Sequence, residues 1–564
     1  MGTTSPGLIS RRLRCEPSRS TPIVGIYRFE PGRRELVTNR VTQALTAVLS
    51  GRRRTFLKSR QMSTVFLALT VVFIFLAIVW FGASGVRGTD QYWYVADVES
   101  LIDGRGVQTN EIYPVSVRHD VVTSPRPFVH NRLNLYIVAL PALLLGAYNA
   151  WIVVNVVSSL LTSVLLFYTV IRVTRSNTIA LTTAVTYLLL PLTFWLTTQP
   201  LVEASTAPLV ALAVYLYVTA NAAFWRWALL MLIVALLAYC HEDLVLLLPL
   251  IPFAYLLHVR PLHYRGLTSA AGLLALGGGL WLLGRSMFEP YLSVTYWHVL
   301  TSPGPEDMNW FFDLNPQPLS ISAILAKAVK GLEAQLTRID TGYLLFYLPF
   351  NIMAVAPLVL LLRGGRGEVA RVGVAGLVVL ALHLTTAIVV QNQFRYLLIA
   401  TPPMLVAVGV LVARTDWFRT LRLTRAVYLA AMLILAPPCV ALAWHSHDEG
   451  ILERDASDNL AIAFEETVPA NDTVMAAVDL QSGFKYQRLG YVLRPRRAIF
   501  VSDRYSAADY AALVKNANAK WLMSQRDSPI LKLLGPATVR EVRALPVPFA
   551  DWSLFAIQSG TPSP

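Results

Sequence analysis

From Met62 to Trp444 the chain alternates between long apolar runs and short polar stretches. A bilayer core about 30 Å thick takes roughly 17 to 25 apolar residues per helical crossing, and the runs recur near that period. They predict crossings at Met62–Phe81, Ala150–Ile171, Thr178–Thr198, Ala204–Ala220, Trp225–Cys240, Leu244–His258, Leu267–Gly284, Gly342–Leu362, Val372–Val390, Tyr396–Val412 and Ala426–Trp444. The runs do not alternate polar with apolar residues, which excludes a closed β-barrel. A membrane all-α protein of about eleven transmembrane helices is expected.

Basic residues orient these crossings. Arg414, Arg419, Arg422 and Arg425 mark one loop as cytoplasmic, and alternate loops then follow: Arg363, Arg366 and Arg371; Arg260 and Arg265; Arg226; Arg172 and Arg175. A further apolar stretch, Leu133–Gly146, would invert that order if it crossed. It is short and interrupted by Pro141, so it is read as a helix in the outer interface. The loops 89–132 and 285–340 then face outward, as does everything after Trp444. The segment 62–444 forms the transmembrane module and 445–564 an extracytoplasmic α/β domain. Within that domain Leu460–Glu466 is helical, Asn471-Asp472 is a turn, and Thr473–Val478, Ala498–Val501 and Trp521–Ser524 are strands.

The chain is 55% hydrophobic and 15% charged, with 48 Lys+Arg against 34 Asp+Glu. That excess lies largely in the N-terminal arm and in loops between apolar runs. It therefore reads as a topology signal and not as a nucleic-acid surface. Residues 1–61 are Arg- and Ser/Thr-rich and form a disordered basic cytoplasmic tail. The run that follows is too long, and lacks the small-residue cleavage site, for a signal peptide. An integral protein of the plasma membrane with a cytoplasmic N-terminus is expected. Cys15, Cys240 and Cys439 imply neither a disulfide framework nor a zinc site.

Charge at the bilayer centre costs about 2.5 to 3.5 kcal/mol on insertion scales, so its placement is informative. Here it collects at the outward ends of crossings: Asp90 and Asp97, Glu203, the run His241-Glu242-Asp243, and Arg395. The segment from Asp90 has an apolar arc of Tyr94, Val95, Val98, Leu101 and Ile102 at helical spacing and should lie along the membrane surface. Asp90 and Asp97, seven apart, fall nearly on one line of that helix with Tyr94 between them; alone, they also fit an ordinary solvated helix start. Neighbours on a helix diverge by about 100°, so His241, Glu242 and Asp243 do not all grip one metal from a single face. One or two of them lining a cavity is the better reading. His383 reads as a packing residue. Gly277-Gly278-Gly279 reads as close packing or a kink, for it follows no strand and is no phosphate loop.

In their order along the chain these features resemble the GT-C superfamily of membrane glycosyltransferases. The opening helix is followed at once by Asp90-x-x-x-Tyr94-x-x-Asp97, ending in Gly104-Arg105-Gly106, similar to that family's first external loop. His130-Asn131-Arg132-Leu133-Asn134-Leu135-Tyr136, Leu140-Pro141-Ala142-Leu143 and Gly146 resemble its interfacial segment, although the Pro-Pro often found there is missing. Glu203 sits where the family often carries an acid, and Arg395-Tyr396 before Pro402-Pro403 resembles the opening of a late helix.

The resemblance implies a sugar donor on a polyprenyl phosphate or pyrophosphate and inverting displacement at the anomeric carbon. The acceptor is a glycan, a lipid or a protein. Such a reaction needs a carboxylate to orient or deprotonate the acceptor, for which Asp90 is the candidate. It also needs cations for the departing phosphate, for which Arg395, with Tyr396, comes first and Arg132 second. Both arginines also fit interface anchoring. Tyr94, Asp97, Glu203, His241, Glu242 and Asp243 are candidates for the acceptor or cavity lining, and Glu203 for a divalent cation. No other cofactor is implied. A transporter or lipid-linked sugar flippase is the alternative, but it would place polar groups near the midplane and show repeated halves. A non-catalytic relative that presents the external domain is a third reading.

Overall fold

The structure, a computed structural model, describes residues 89–106, 111–112, 132–258 without 222, 264–288, 319–337, 343–386 without 365, 394–415, 438, 441, 444, and 451–558 without 453, 478–485, 502–504, 536–537 and 548. The N-terminal arm, the expected first crossing and nearly all of the last lie outside these residues.

Helix α1 (Thr89–Ile102) and strand β1 (Glu111–Ile112) come from the first long loop. Helix α2 (Arg132–Leu145) follows, then α3 (Ala147–Thr174), α4 (Asn177–Leu189), α5 (Pro191–Thr197), α6 (Val202–Val218) and α7 (Phe224–Cys240). A 3-10 turn (Glu242–Leu247) leads into α8 (Leu250–His258), and then come α9 (Tyr264–Phe288) and α10 (Ile321–Thr337). A π turn (Tyr343–Tyr347) opens α11 (Leu348–Leu362), and α12 (Glu368–Thr385) precedes a 3-10 turn (Phe394–Tyr396) and α13 (Leu397–Arg414).

Among the described residues five helices are long and apolar enough to cross a membrane, or six if the bent pair α4 and α5 is one span. The expected crossing Thr178–Thr198 is this bent pair. Its two parts meet at 57° because Pro191 has no N–H to give the preceding turn, and Leu190 before it is extended. Leu133–Gly146 is a separate helix, α2, whose Leu140, Leu143 and Leu144 are exposed. Apolar residues left uncovered in this way fit a helix in contact with lipid. Of the three consecutive glycines in α9, only Gly277 packs closely: a Cβ there would fall 2.6 Å from Met231 Sδ, whereas Gly278 and Gly279 face open space.

The basic loops assemble at one end of the bundle. Arg172 Nε lies 3.3 Å from Glu368 Oε1. Arg371 donates to the carbonyl of Ala220, beside Arg226, whose Nη1 donates to Thr219 O at 2.9 Å. His258, at the end of α8, stacks on Trp227 with ring centroids 5.8 Å apart. Four of the five loops that charge assigned to one side therefore meet.

The C-terminal region builds a six-stranded sheet in the order β1-β3-β2-β4-β6-β5, where β2 is Thr473–Ala477, β3 Arg497–Val501, β4 Ala519–Gln525, β5 Val539–Ala544 and β6 Trp552–Ile557. The first four strands in that order are parallel, β6 runs antiparallel to β4, and β5 antiparallel to β6. Helix α14 (residues 454–467) and α15 (Tyr486–Leu493) cover one face through Leu460, Phe464 and Leu489. Helices α16 (Ala507–Asn516) and α17 (Pro529–Leu534) cover the other through Tyr510, Leu513 and Ile530. The three strands predicted from sequence are β2, β3 and β4. Strands β5 and β6 were not foreseen, nor was β1, which the segment after α1 contributes by pairing Glu111 with Ala498 and Ile112 with Ile499.

Candidate active site

At the end opposite the basic loops, α3 supplies a brace. Asn155 is buried in α3, and its Nδ2 donates to the carbonyls of Gln199 at 2.6 Å and Leu201 at 3.1 Å. An amide in an apolar helix needs partners, and here it secures the turn that begins α6. That turn carries Glu203 in the first turn of a helix, where the N-terminal end of the dipole favours a carboxylate.

Glu203 is 1% exposed, and its Oε1 lies 3.2 Å from Arg395 Nε. Its other oxygen, Oε2, is buried without a hydrogen-bond partner among the described residues. Arg395 sits on the 3-10 turn ahead of α13; its Nη2 donates to Tyr396 Oη at 3.2 Å, and its guanidinium lies 5.1 Å from the Tyr396 ring centroid. The guanidinium is thus held between the Glu203 carboxylate, as an ion pair, and the Tyr396 phenol, as a hydrogen-bond acceptor. Tyr396 also meets His241 edge to face, with centroids 5.3 Å apart. His241 ends α7, and Asn134 of α2 donates to the neighbouring Cys240 carbonyl at 3.2 Å and to Thr206 Oγ1 of α6 at 3.3 Å. Helix α2 is thus tied to both walls of the site. A cavity of about 30 Å³, space for a water molecule or two, lies beside these groups and is lined by His241, His383, Thr386 and Tyr396 among others. His383 also packs on Phe350 with centroids 5.3 Å apart.

Helix α1 reaches the same end. Gln91 Nε2 donates to Gln199 Oε1, four residues ahead of Glu203. Asp97 is buried, and Tyr94 packs on Trp151 of α3, whose Nε1 donates to the Tyr94 carbonyl at 3.2 Å. Asp90 lies in the first turn of α1, Arg132 opens α2, and Glu242 and Asp243 begin the 3-10 turn after His241. The side chains of these four lie outside the description. Of the residues predicted from sequence, the structure brings Glu203, Arg395, Tyr396 and His241 together. Sequence reasoning missed Gln91, Asn134, Asn155 and Gln199. The available signal was that an uncharged amide inside an apolar run must find a partner. Among the described residues no group of three His, Cys, Asp or Glu side chains could hold a metal ion.

The helical bundle and the C-terminal α/β domain together define a polytopic integral membrane protein of GT-C fold. The solved structure of ArnT from Cupriavidus metallidurans in the apo state is similar to it, with a TM-score of 0.55 at 12% identity over 90% of this chain and 100% of that one. ArnT bound to undecaprenyl phosphate gives 0.53 at 11% identity, covering 89% and 99%. The archaeal oligosaccharyltransferase AglB from Archaeoglobus fulgidus, in complex with an inhibitory peptide and a dolichol-phosphate, gives 0.47 at 11% identity over 83% of this chain and 70% of that one. No family model and no curated protein matches the sequence.

Proposed function

We propose that the chain is a glycosyltransferase that takes a sugar from a polyprenyl-phosphate carrier at the outer face of the membrane and transfers it, with inversion, to a glycan, lipid or protein acceptor. The observation that carries this reading is the buried Glu203–Arg395 pair, oriented by Tyr396 and gathered with His241 at the end opposite the basic loops. A transporter would hold such groups near the midplane. In this reading Asp90 accepts the proton of the acceptor hydroxyl, whose oxygen attacks the anomeric carbon. The bond from that carbon to the carrier phosphate breaks, and the phosphate leaves with the electron pair. Arg395 and Tyr396, with Arg132, stabilise the charge that builds there. Glu203 Oε2, buried and without a partner among the described residues, is suited to accept a hydrogen bond from the acceptor or to meet a divalent cation. That ArnT has been solved with undecaprenyl phosphate bound agrees with a carrier of this class.

The test is incubation of the purified full chain with a panel of labelled polyprenyl-phosphate sugars and acceptors, scoring consumption and product. Transfer from at least one donor is expected, with Asp90→Asn lowering turnover by about 10²-fold or more while insertion is unchanged. Full transfer by Asp90→Asn rejects the assignment of the base; no transfer from any donor rejects the reaction.

A further inference from the structure

We infer that the C-terminal domain sets the rotation of α1 about its own axis, through a latch in which Arg494 and Tyr491 hold Glu99 and Ser100, and that Glu99 and Arg494 are positioning residues for transfer. The catalytic half of this inference rests on the glycosyltransferase reading; the mechanical half does not.

Helix α1 is covered on two sides by different parts of the protein. Toward the bundle it presents Gln91, Tyr94, Val95 and Val98, of which the last three belong to the core of the helical module. Toward the C-terminal domain it presents Tyr92, Trp93, Glu99 and Ser100. Tyr92 meets the Tyr491 ring at 5.5 Å between centroids, and Trp93 is part of the domain's own core with Phe464, Leu489 and Trp552. Arg494 Nη1 donates to Glu99 Oε2 at 2.6 Å and Nη2 to Ser100 Oγ at 3.2 Å, and Tyr491 Oη donates to Glu99 Oε1 at 3.2 Å. Burial, followed by the neighbouring Glu99 carboxylate, pushes the Tyr491 hydroxyl above its usual range, so it remains a donor throughout physiological pH.

Residues turn by about 100° along a helix. On that wheel the bundle face and the domain face lie on opposite flanks of α1, and Asp90 and Asp97 share one line at the seam between them. Two independent grips on opposite flanks leave little freedom of rotation. Side chains reach about 5 to 6 Å from a helix axis, so a turn of roughly 10° moves a group on that line by about 1 Å. A misplacement of that size costs up to about 10²-fold in rate. The domain edge of the latch is anchored as well: Arg496 Nε donates to the Val468 carbonyl at 2.7 Å, two residues beyond Arg494.

The experiment compares wild type, Arg494→Ala, Glu99→Gln and the swap Glu99→Arg/Arg494→Glu in the purified full chain. It reads amide exchange over residues 91–102 together with kcat and KM on the best donor. Expected for both single variants are faster exchange in α1 by about ten-fold, a kcat lowered by about ten- to a hundred-fold and a donor KM within about two-fold of wild type. The swap should recover part of both. Should Arg494→Ala not insert intact, Glu99→Gln carries the test, since it removes charge and keeps shape. Unchanged exchange overturns the latch, and faster exchange with unchanged kcat overturns the positioning role. If wild type transfers nothing from any donor, it is the functional reading that fails, and exchange alone still decides the latch.

Discussion

The two ends of the helix bundle use the same residue types differently. At the basic end Arg172 reaches Glu368 at 3.3 Å while 61% of its side chain remains exposed. At the other end Arg395 reaches Glu203 at a similar 3.2 Å, but the two side chains are 13% and 1% exposed. Distance alone does not separate them; burial does. A solvated pair contributes about 0 to 1 kcal/mol and is screened by salt, whereas breaking a buried pair strands an uncompensated charge. The first pair is therefore a solvated surface contact, and the second is the one placed in the proposed site.

The sharpest way to break this contrast is Arg395→Ala, which should destabilise the protein by about 3 to 5 kcal/mol because it leaves the Glu203 carboxylate buried alone. It should also lower transfer by on the order of 10²-fold. Thermal unfolding in detergent and the donor assay check both, and Glu203→Gln should cost less stability, since the guanidinium it leaves is 13% exposed and keeps its hydrogen bond to Tyr396. An intermediate case is Asp472, which accepts from Lys520 Nζ at 2.7 Å and Trp521 Nε1 at 3.0 Å. Those hydrogen bonds hold its carboxyl below the usual carboxylate range. A depressed folded value contributes stability that is present above the ordinary value near pH 4 and is lost as pH falls through the lower folded one. Asp472→Asn should cost about 1 to 2 kcal/mol at neutral pH and flatten the acid limb of a melting-temperature profile between pH 5 and 2; an unaltered limb would show that the pair is inert. The smallest effect belongs to Arg172→Ala, within about 0.5 kcal/mol and with transfer intact. A loss above about 2 kcal/mol there would erase the distinction between the ends.

Much of this was legible in the chain. Apolar runs located α3, α6, α7 and α13 to within about three residues of their observed ends, because a lipid-facing helix must be apolar over its length. Charge predicted which loops meet, and Arg172–Glu368 and Arg371–Ala220 are those meetings. Glu203, His241 and Arg395 stood out because charge is costly in these helices. Asn134 and Asn155 did not, since a single neutral amide leaves the apolar pattern undisturbed. The bend at Pro191 was hidden inside a run of sufficient length. The second face of α1 was hidden for another reason: its partners Tyr491 and Arg494 lie almost 400 positions away along the chain, and no local periodicity encodes a contact of that separation.

That separation has a temporal meaning. Strand β1 and the domain-facing flank of α1 leave the ribosome almost 400 residues before the edge of β3 that receives them and the Arg494 that grips Glu99. That segment must therefore wait, its sticky flank uncovered, until the C-terminal domain has been made. A truncated product would expose Trp93 and an unpaired strand, a surface that quality-control proteases recognise.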